Sequence, residues 1–220
     1  MAIRAVLFDV YGTLLDVHSA IAREGRELGP QADTVSRLWR QKQLEYTWVY
    51  SLRGEYHTFR ALTEAALDFA LAGRSASPDL RARLLRAYEN LAPYPDAVAA
   101  LTQLRARGLR LAALSNGDPD MLEAALVSAG LRPQLDDVLS VAPQKIFKPD
   151  RRVYELGQDW AKVATGEIAF VSSNAWDAGG AAGFGFRTFW INRAEQPAEY
   201  DLPAKATIIG SLKDLEWLPT

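Results

Sequence analysis

The stretch Ile3-Arg4-Ala5-Val6-Leu7-Phe8-Asp9-Val10-Tyr11-Gly12-Thr13-Leu14-Leu15 decides the fold of this chain. An apolar run of strand length ends on an acid, and a Gly-Thr turn follows at once. Such a run, with little polar alternation, reads as a strand buried on both faces. Four later runs read the same way: Leu109–Leu114, a weaker Val138–Val141, Ile168–Val171 and Arg187–Ile191, with Ala206–Ile209 as a last candidate. Helical patterns lie between them at Pro95–Arg107, Pro119–Ala129 and Asp150–Val163, the first two closing at Gly108 and Gly130. Strand-helix alternation at this spacing predicts an α/β fold with crossover helices on both faces of a parallel sheet.

One stretch breaks the alternation. From about Asp16 to Ala92 there is no good strand, only helical periodicity, as in Val35–Leu52, His57–Leu71 and Pro78–Leu91. This reads as a helical insert after the first strand, rejoining the core near Pro93-Tyr94-Pro95. The expected domains are therefore a core of residues 1–15 and 93–220 and an insert of residues 16–92. Ligands of open α/β sheets bind beyond the carboxyl ends of the strands, so the residues after each strand and the insert above them are the ones to inspect.

Composition narrows the chemistry. The 220 residues are 49% hydrophobic and 24% charged, which suits a packed core. Basic and acidic residues number 25 and 27, a formal charge of −2, and no basic stripe or tail stands out, so neither nucleic acid nor membrane is an expected partner. The N-terminus runs straight into the first strand with no signal-peptide pattern, and the expected location is cytoplasmic. Without cysteine, thiolate nucleophiles, disulfides and zinc-thiolate sites are excluded. The two histidines, His18 and His57, lie in no metal-ligand or triad context, and packing is the expected role of each.

Four motifs follow the strands or open a helix in order: Asp9-Val10-Tyr11-Gly12-Thr13-Leu14-Leu15, Ser115-Asn116-Gly117, Lys148-Pro149-Asp150 and Ser172-Ser173-Asn174-Ala175-Trp176-Asp177. Together they resemble the haloacid dehalogenase superfamily across essentially the whole chain. The resemblance implies a Rossmann-like parallel-sheet core with a helical cap domain inserted after the first strand. Most members of that superfamily are magnesium-dependent phosphatases, with a second Asp two residues after the nucleophile and further acids in the last motif. Here position 11 is Tyr, and Ser172, Ser173 and Asn174 precede the last loop's only acid, Asp177. Magnesium is normally anchored by carboxylates, so these departures predict no metal, and the resemblance implies no other cofactor. A phosphoryl dianion beside Asp9 would then lack its balancing cation. The set looks like the L-2-haloacid dehalogenases, whose partners are a small halogenated carboxylic acid and the released halide ion. A phosphohydrolase with a degenerate metal site and a non-catalytic binding protein on the same scaffold stay open as alternatives.

The resemblance implies these roles. Asp9 is the nucleophile and Thr13 its orienting hydroxyl; Lys148 supplies positive charge; Asp177 holds Lys148 or positions water; Ser172 and Asn174 bond Asp9, Lys148 and the water. Ser115, with backbone N–H groups near Val10 and Tyr11, binds the substrate carboxylate, Asn116 is the halide-side amide, and Tyr154 reaches the cluster through its hydroxyl. Arg40 also has an argument of its own. Its neighbours three and four residues away are Ser36, Arg37, Gln43 and Leu44, none of them an acid, and Leu44 and Trp48 continue its stripe. A guanidinium there is expected to meet the leaving halide. Tyr11, Gln41, Leu44, Phe59 and Trp176 are expected to line the alkyl pocket. Apolar residues of the insert, such as Trp39, Tyr46 and Val49, either offer a face on which two copies pair as a homodimer or pack inside the insert itself.

Overall fold

The computed structural model describes residues 2–219. Its six strands are β1 (Ala5–Phe8), β2 (Arg110–Ser115), β3 (Asp137–Ser140), β4 (Ile168–Ser172), β5 (Arg187–Ile191) and β6 (Ala206–Ile209). They form one sheet in the order β3-β2-β1-β4-β5-β6, every pair parallel. The chain steps outward from β1 through β2 to β3, then returns to lay β4 on the other side of β1. That reversal opens a crevice at the carboxyl end of β1, and Asp9 is the next residue. Phe8 pairs with Ala113 on one side and Val171 on the other, so the ends of β1, β2 and β4 lie level.

Burial explains the strands. All four residues of β1 are buried, and so are all five of β4. Removing each such Val, Leu or Phe side chain from water contributes about 1.5–3 kcal/mol. At the edge, β3 is only half-buried throughout and begins at Asp137, a residue earlier than its apolar pattern suggests.

Between β1 and β2 the chain forms α1 (Ser19–Glu24), α2 (Ala32–Leu52), α3 (Phe59–Leu71), α4 (Pro78–Tyr88) and α5 (Ala97–Ala106). The helical insertion after the first strand is thus present. Within it, Trp39 Nε1 donates to Thr63 O at 2.9 Å and Gln43 Nε2 to Thr63 Oγ1 at 2.6 Å, tying α2 to α3. Trp39 therefore packs inside the insert, which removes it from any free face for a second copy. Further along come α6 (Pro119–Ser128), α7 (Arg151–Ala161), α8 (Ala175–Phe184) and α9 (Leu202–Lys205). Asp150 caps α7 by accepting the Arg152 N–H at 2.9 Å. Among the described residues no helix is long and apolar enough to cross a membrane.

Candidate active site

Asp9 leaves the sheet with its N–H donating to Val171 O at 3.0 Å. Val10 O then accepts the N–H groups of Thr13, Leu14 and Leu15 at 3.2, 3.0 and 3.0 Å, and Gly12 takes a φ of 94°. Only glycine adopts that angle without strain, and the turn it permits folds Thr13 back beside the acid. The Thr13 hydroxyl donates to Asp9 Oδ2 at 2.8 Å and accepts the Ser173 N–H at 2.9 Å. Asn174, at the start of α8, donates from Nδ2 to the same Oδ2 at 2.8 Å and to Tyr11 O at 3.2 Å.

The other oxygen of Asp9 faces Lys148. Its Nζ lies 3.0 Å from Asp9 Oδ1 and 2.9 Å from Asp177 Oδ2, and all three residues are buried. Tyr154 donates its hydroxyl to Asp177 Oδ1 at 2.9 Å, reaching it from α7 over Gly180. Any Cβ at 180 would collide with that hydroxyl and with Pro149. Burial pushes the Asp177 carboxyl up to about 6, against the opposing charge of Lys148. Burial by itself would lower the Lys148 ammonium, but the charges of Asp177 and Asp9 outweigh it and hold the group above its ordinary value. Burial, with the Asp177 charge added, raises the Tyr154 hydroxyl well above its ordinary value. Tyr154 is therefore a hydrogen-bond donor at any ordinary pH.

This donor set does not fit a magnesium ion. Tyr11, at the position of the expected second acid, is an aromatic ring set 5.3 Å from Phe59 and 5.5 Å from Tyr88. The ammonium of Lys148 already stands between the two carboxylates, where a divalent ion would meet its repulsion. Among the described residues no three of His, Cys, Asp or Glu converge as a metal-binding group.

From the insert, α2 brings Arg40 down onto this cluster. Its Nη2 donates to Tyr11 O at 2.9 Å and to Asn174 Oδ1 at 3.4 Å, and Nη1 to Gln43 Oε1 at 2.8 Å. These acceptors are neutral oxygens, which leaves the positive charge available to an anion. Gln43 also accepts from the Tyr88 hydroxyl at 3.0 Å. Phe59 is buried against Tyr11 and Phe147, Leu44 is half-buried, and Trp176 meets Trp48 edge-on with ring centroids 5.4 Å apart. Ser115 and Asn116 are buried; Ser115 Oγ accepts the Gly117 N–H at 3.3 Å and Asn116 Oδ1 the Lys148 N–H at 3.0 Å.

One expectation is corrected. Gln41 is exposed rather than set in a pocket, because it sits about 100° around α2 from Arg40. The buried glutamine is Gln43, one turn along the Arg40 face. Of the partners expected for Ser172 (Asp9, Lys148 and the water), neither Asp9 nor Lys148 is bonded to it among the described residues; its hydroxyl accepts the Asn174 N–H at 3.1 Å. The hydroxyl that meets Thr13 is Ser173, which also donates to Gly12 O. Gln43, Ser173 and Tyr88 were missed. Spacing from Arg40 could have found Gln43, whereas nothing local marks Tyr88. Both histidines are exposed: His18 Nδ1 lies 2.8 Å from Ser36 Oγ, and the His57 ring rests against Tyr50.

A carboxylate at the end of β1, cradled by Thr13 and Lys148 under a helical cover, is the site of a hydrolase family, and comparison with known proteins agrees. The family model for haloacid dehalogenase-like hydrolases matches residues 3–185. The protein described as (S)-2-haloacid dehalogenase 1 of Pseudomonas sp. strain CBS-3 is 48% identical over 218 residues, 98% of this chain and 96% of its own length. A crystal structure described as a dehalogenase with intermediate complex superposes with a TM-score of 0.94 at 46% identity, covering 97% of this chain and 96% of its own. The L-2-haloacid dehalogenase of Xanthobacter autotrophicus, solved with chloropropionic acid covalently bound, gives a TM-score of 0.89 at 36% identity over 97% of both chains. The chain belongs to the haloacid dehalogenase-like hydrolase family, in its (S)-2-haloacid dehalogenase branch.

Proposed function

We propose that this protein hydrolyses short L-2-haloalkanoic acids to D-2-hydroxy acids through an ester on Asp9, without a metal. The observation that carries the reading is the Lys148 ammonium held between the buried Asp9 and Asp177 carboxylates. It balances the nucleophile's charge beside a position, Tyr11, that offers no carboxylate to a metal, and so admits a monoanionic substrate. The names of the relatives support the same reaction class.

In the first step an Asp9 oxygen attacks C2 from the side opposite the halogen. The new C–O bond forms as the C–X bond breaks, C2 inverts, and halide leaves with both bonding electrons. Thr13 and Asn174 fix the carboxylate for an in-line approach. Arg40 meets the departing anion with a charge that its neutral partners leave uncancelled. In the second step water attacks the ester carbonyl of Asp9 and gives its proton to the Asp177 carboxylate. The bond between the Asp9 carbonyl carbon and the ester oxygen cleaves, the alkoxide takes the proton from Asp177 and departs as the hydroxy acid, and Asp9 keeps the oxygen from water and releases the second proton to solvent. Ser115 and the turn at Val10 and Tyr11 hold the substrate carboxylate, with Asn116 on the halide side.

In this reading residues 16–92 act as a cap over a core of residues 1–15 and 93–220. Halide release from L-2-chloropropionate, undiminished by EDTA, tests the reaction. A single turnover in ¹⁸O-water should place the label in Asp9 first; label passing straight to product would sink the ester.

A further inference from the structure

Two short segments join the insert to the core, and they run side by side. Residues 13–16 lead out of the Asp9 turn, and residues 92–94 lead back toward α5. Tyr94 N donates to Leu14 O at 2.9 Å and Asp16 N to Ala92 O at 2.8 Å, while Leu15 bridges Pro93 in antiparallel fashion. The insert that carries Arg40 is joined covalently to the core only through this neck. Its outgoing half begins on Thr13, the residue whose hydroxyl orients the nucleophile.

A cation from elsewhere in the chain holds both halves of the neck. Arg193 lies two residues past the end of β5. Its Nη2 donates to Thr13 O at 3.3 Å and to Asp96 Oδ1 at 3.1 Å, and its guanidinium stands 4.1 Å from the centre of the Tyr94 ring. Asp96 is buried and accepts the Leu212 N–H on Oδ2 at 2.8 Å, so the anchor is itself fixed to the core. With Arg193 in place, successive carbonyls of the Asp9 turn are all engaged: Tyr11 O by Arg40 and Asn174, Gly12 O by Ser173, Thr13 O by Arg193 and Leu14 O by Tyr94. Release of Thr13 O would free the peptide between residues 13 and 14 to turn, and the Thr13 hydroxyl would lose its aim at Asp9 Oδ2, 2.8 Å away.

Fold stability alone does not account for an arginine here. Its Nη1 is buried and meets no acceptor among the described residues, and an unmet buried donor costs stability. Replacing a buried ion pair by uncharged residues of similar size is often neutral or stabilising. Residues that break a local rule in this way are expected where function requires them.

We infer that Arg193 is a positioning residue, which locks the neck and the Asp9 turn into one unit and so keeps the Thr13 hydroxyl and Arg40 aligned on Asp9 without touching the substrate. The inference rests on the reaction proposed above and adds to it a residue from outside the four motifs.

Arg193→Met by itself strands the Asp96 carboxylate, so the test is the double variant Arg193→Met/Asp96→Asn, in which the amide oxygen at position 96 still accepts the Leu212 N–H. Its unfolding midpoint should stay close to that of the unmodified protein. On L-2-chloropropionate kcat should fall about tenfold to a hundredfold with KM changed by less than about twofold, because a misplaced reacting group slows chemistry more than it weakens binding. An unchanged kcat, or a rise in KM alone, overturns the inference. If the double variant does not fold, Arg193→Lys takes its place: a single ammonium keeps the charge beside Asp96 but lacks the planar fork that also holds Thr13 O, and the same loss of kcat is expected. Amide hydrogen exchange needs no turnover, and in the variant it should quicken about tenfold or more at Leu14 and Tyr94 while β4 keeps its protection. If exchange quickens there and yet the unmodified protein releases no halide, the lock on the neck stands and the proposed reaction falls. If halide is released but exchange at the neck is unmoved, the reaction stands and the role of Arg193 falls.

Discussion

The two sides of the catalytic crevice are built on different principles. On the sheet side, Asp9, Lys148 and Asp177 form a buried ion cluster in which every charge touches its opposite at 3.0 Å or less. On the insert side, Arg40 is half-buried and holds neutral oxygens: the Tyr11 carbonyl, Gln43 and Asn174. A buried ion cluster is costly to break and so keeps its geometry between turnovers. A cation resting on neutral acceptors is held in place yet still free to bind a new anion. The first arrangement suits a nucleophile that must be restored after each cycle, and the second a leaving group that must arrive and depart.

Substitutions on the two sides should therefore fail in different ways. Asp9→Ala should abolish halide release, a loss on the order of 10⁴-fold or more, while circular dichroism stays native. Lys148→Met should be worse for the fold than for any single contact. It strands two buried carboxylates, so unfolding in urea should show a loss of about 3–5 kcal/mol, with activity gone as well. Arg40→Ala should behave in the opposite sense, lowering kcat about 10²- to 10³-fold with stability nearly kept. Equal stability losses at Lys148 and Arg40 would erase the distinction between the two sides.

The same contrast explains what could be read from the chain. The strands, the helical insertion and the order of the motifs were legible because buried parallel strands leave apolar runs that end on their functional residues. Asp9, Thr13, Lys148, Asn174 and Asp177 lie within those motifs, Tyr154 follows the third of them by one helical turn, and the structure brings all six together. Helix α8 was hidden, because Gly179, Gly180 and Gly183 give it poor helix propensity. Its Gly180 is there for the approach of Tyr154, a contact between distant segments that no local pattern encodes. Gln43 and Tyr88 were missed for the same reason, since their part is to support Arg40 across the insert. Gln41 was misplaced because adjacent positions on a helix differ by about 100° in direction.

A pH profile separates the sides by titration. With the Asp177 carboxyl pushed up to about 6, activity should fall as pH drops through that value. Below it, the acid can neither take a proton from water nor hold Lys148 as an ion. Because the Lys148 ammonium is raised above its ordinary 10.5, activity should persist to at least that pH on the alkaline side. Stability runs the other way for Asp177. A folded-state value raised above the ordinary 3.8 means the folded chain binds this proton more tightly, so its contribution is greatest in acid and is lost as pH rises through about 6. Lys148 contributes stability that is fully present below 10.5 and lost above it. An Asp177→Asn protein that kept the same acid limb would assign that limb to another group.

The smallest effect is expected where the two sides meet. Asp118 sits at the N-cap position of α6, yet its side chain makes no cap bond there. Its carboxylate instead accepts the Phe59 and Arg60 N–H groups, at 3.2 and 2.8 Å, from the first turn of α3. Thr58 accepts the Ala61 N–H at 3.2 Å, so three unpaired donors of α3 are satisfied, two of them by the sheet side. An acid at this end also meets the positive end of the helix dipole. Asp118→Ala should then cost about 1–2 kcal/mol, and a loss of 1 kcal/mol should lower Tm by about 2–4 °C in a chain of this size. The chemistry at Asp9 is untouched by this change, so kcat should fall far less than in Arg40→Ala. If kcat fell as far, the contact between Asp118 and α3 would be what presses Arg40 onto Tyr11, and the insert side would owe its geometry to the sheet side after all.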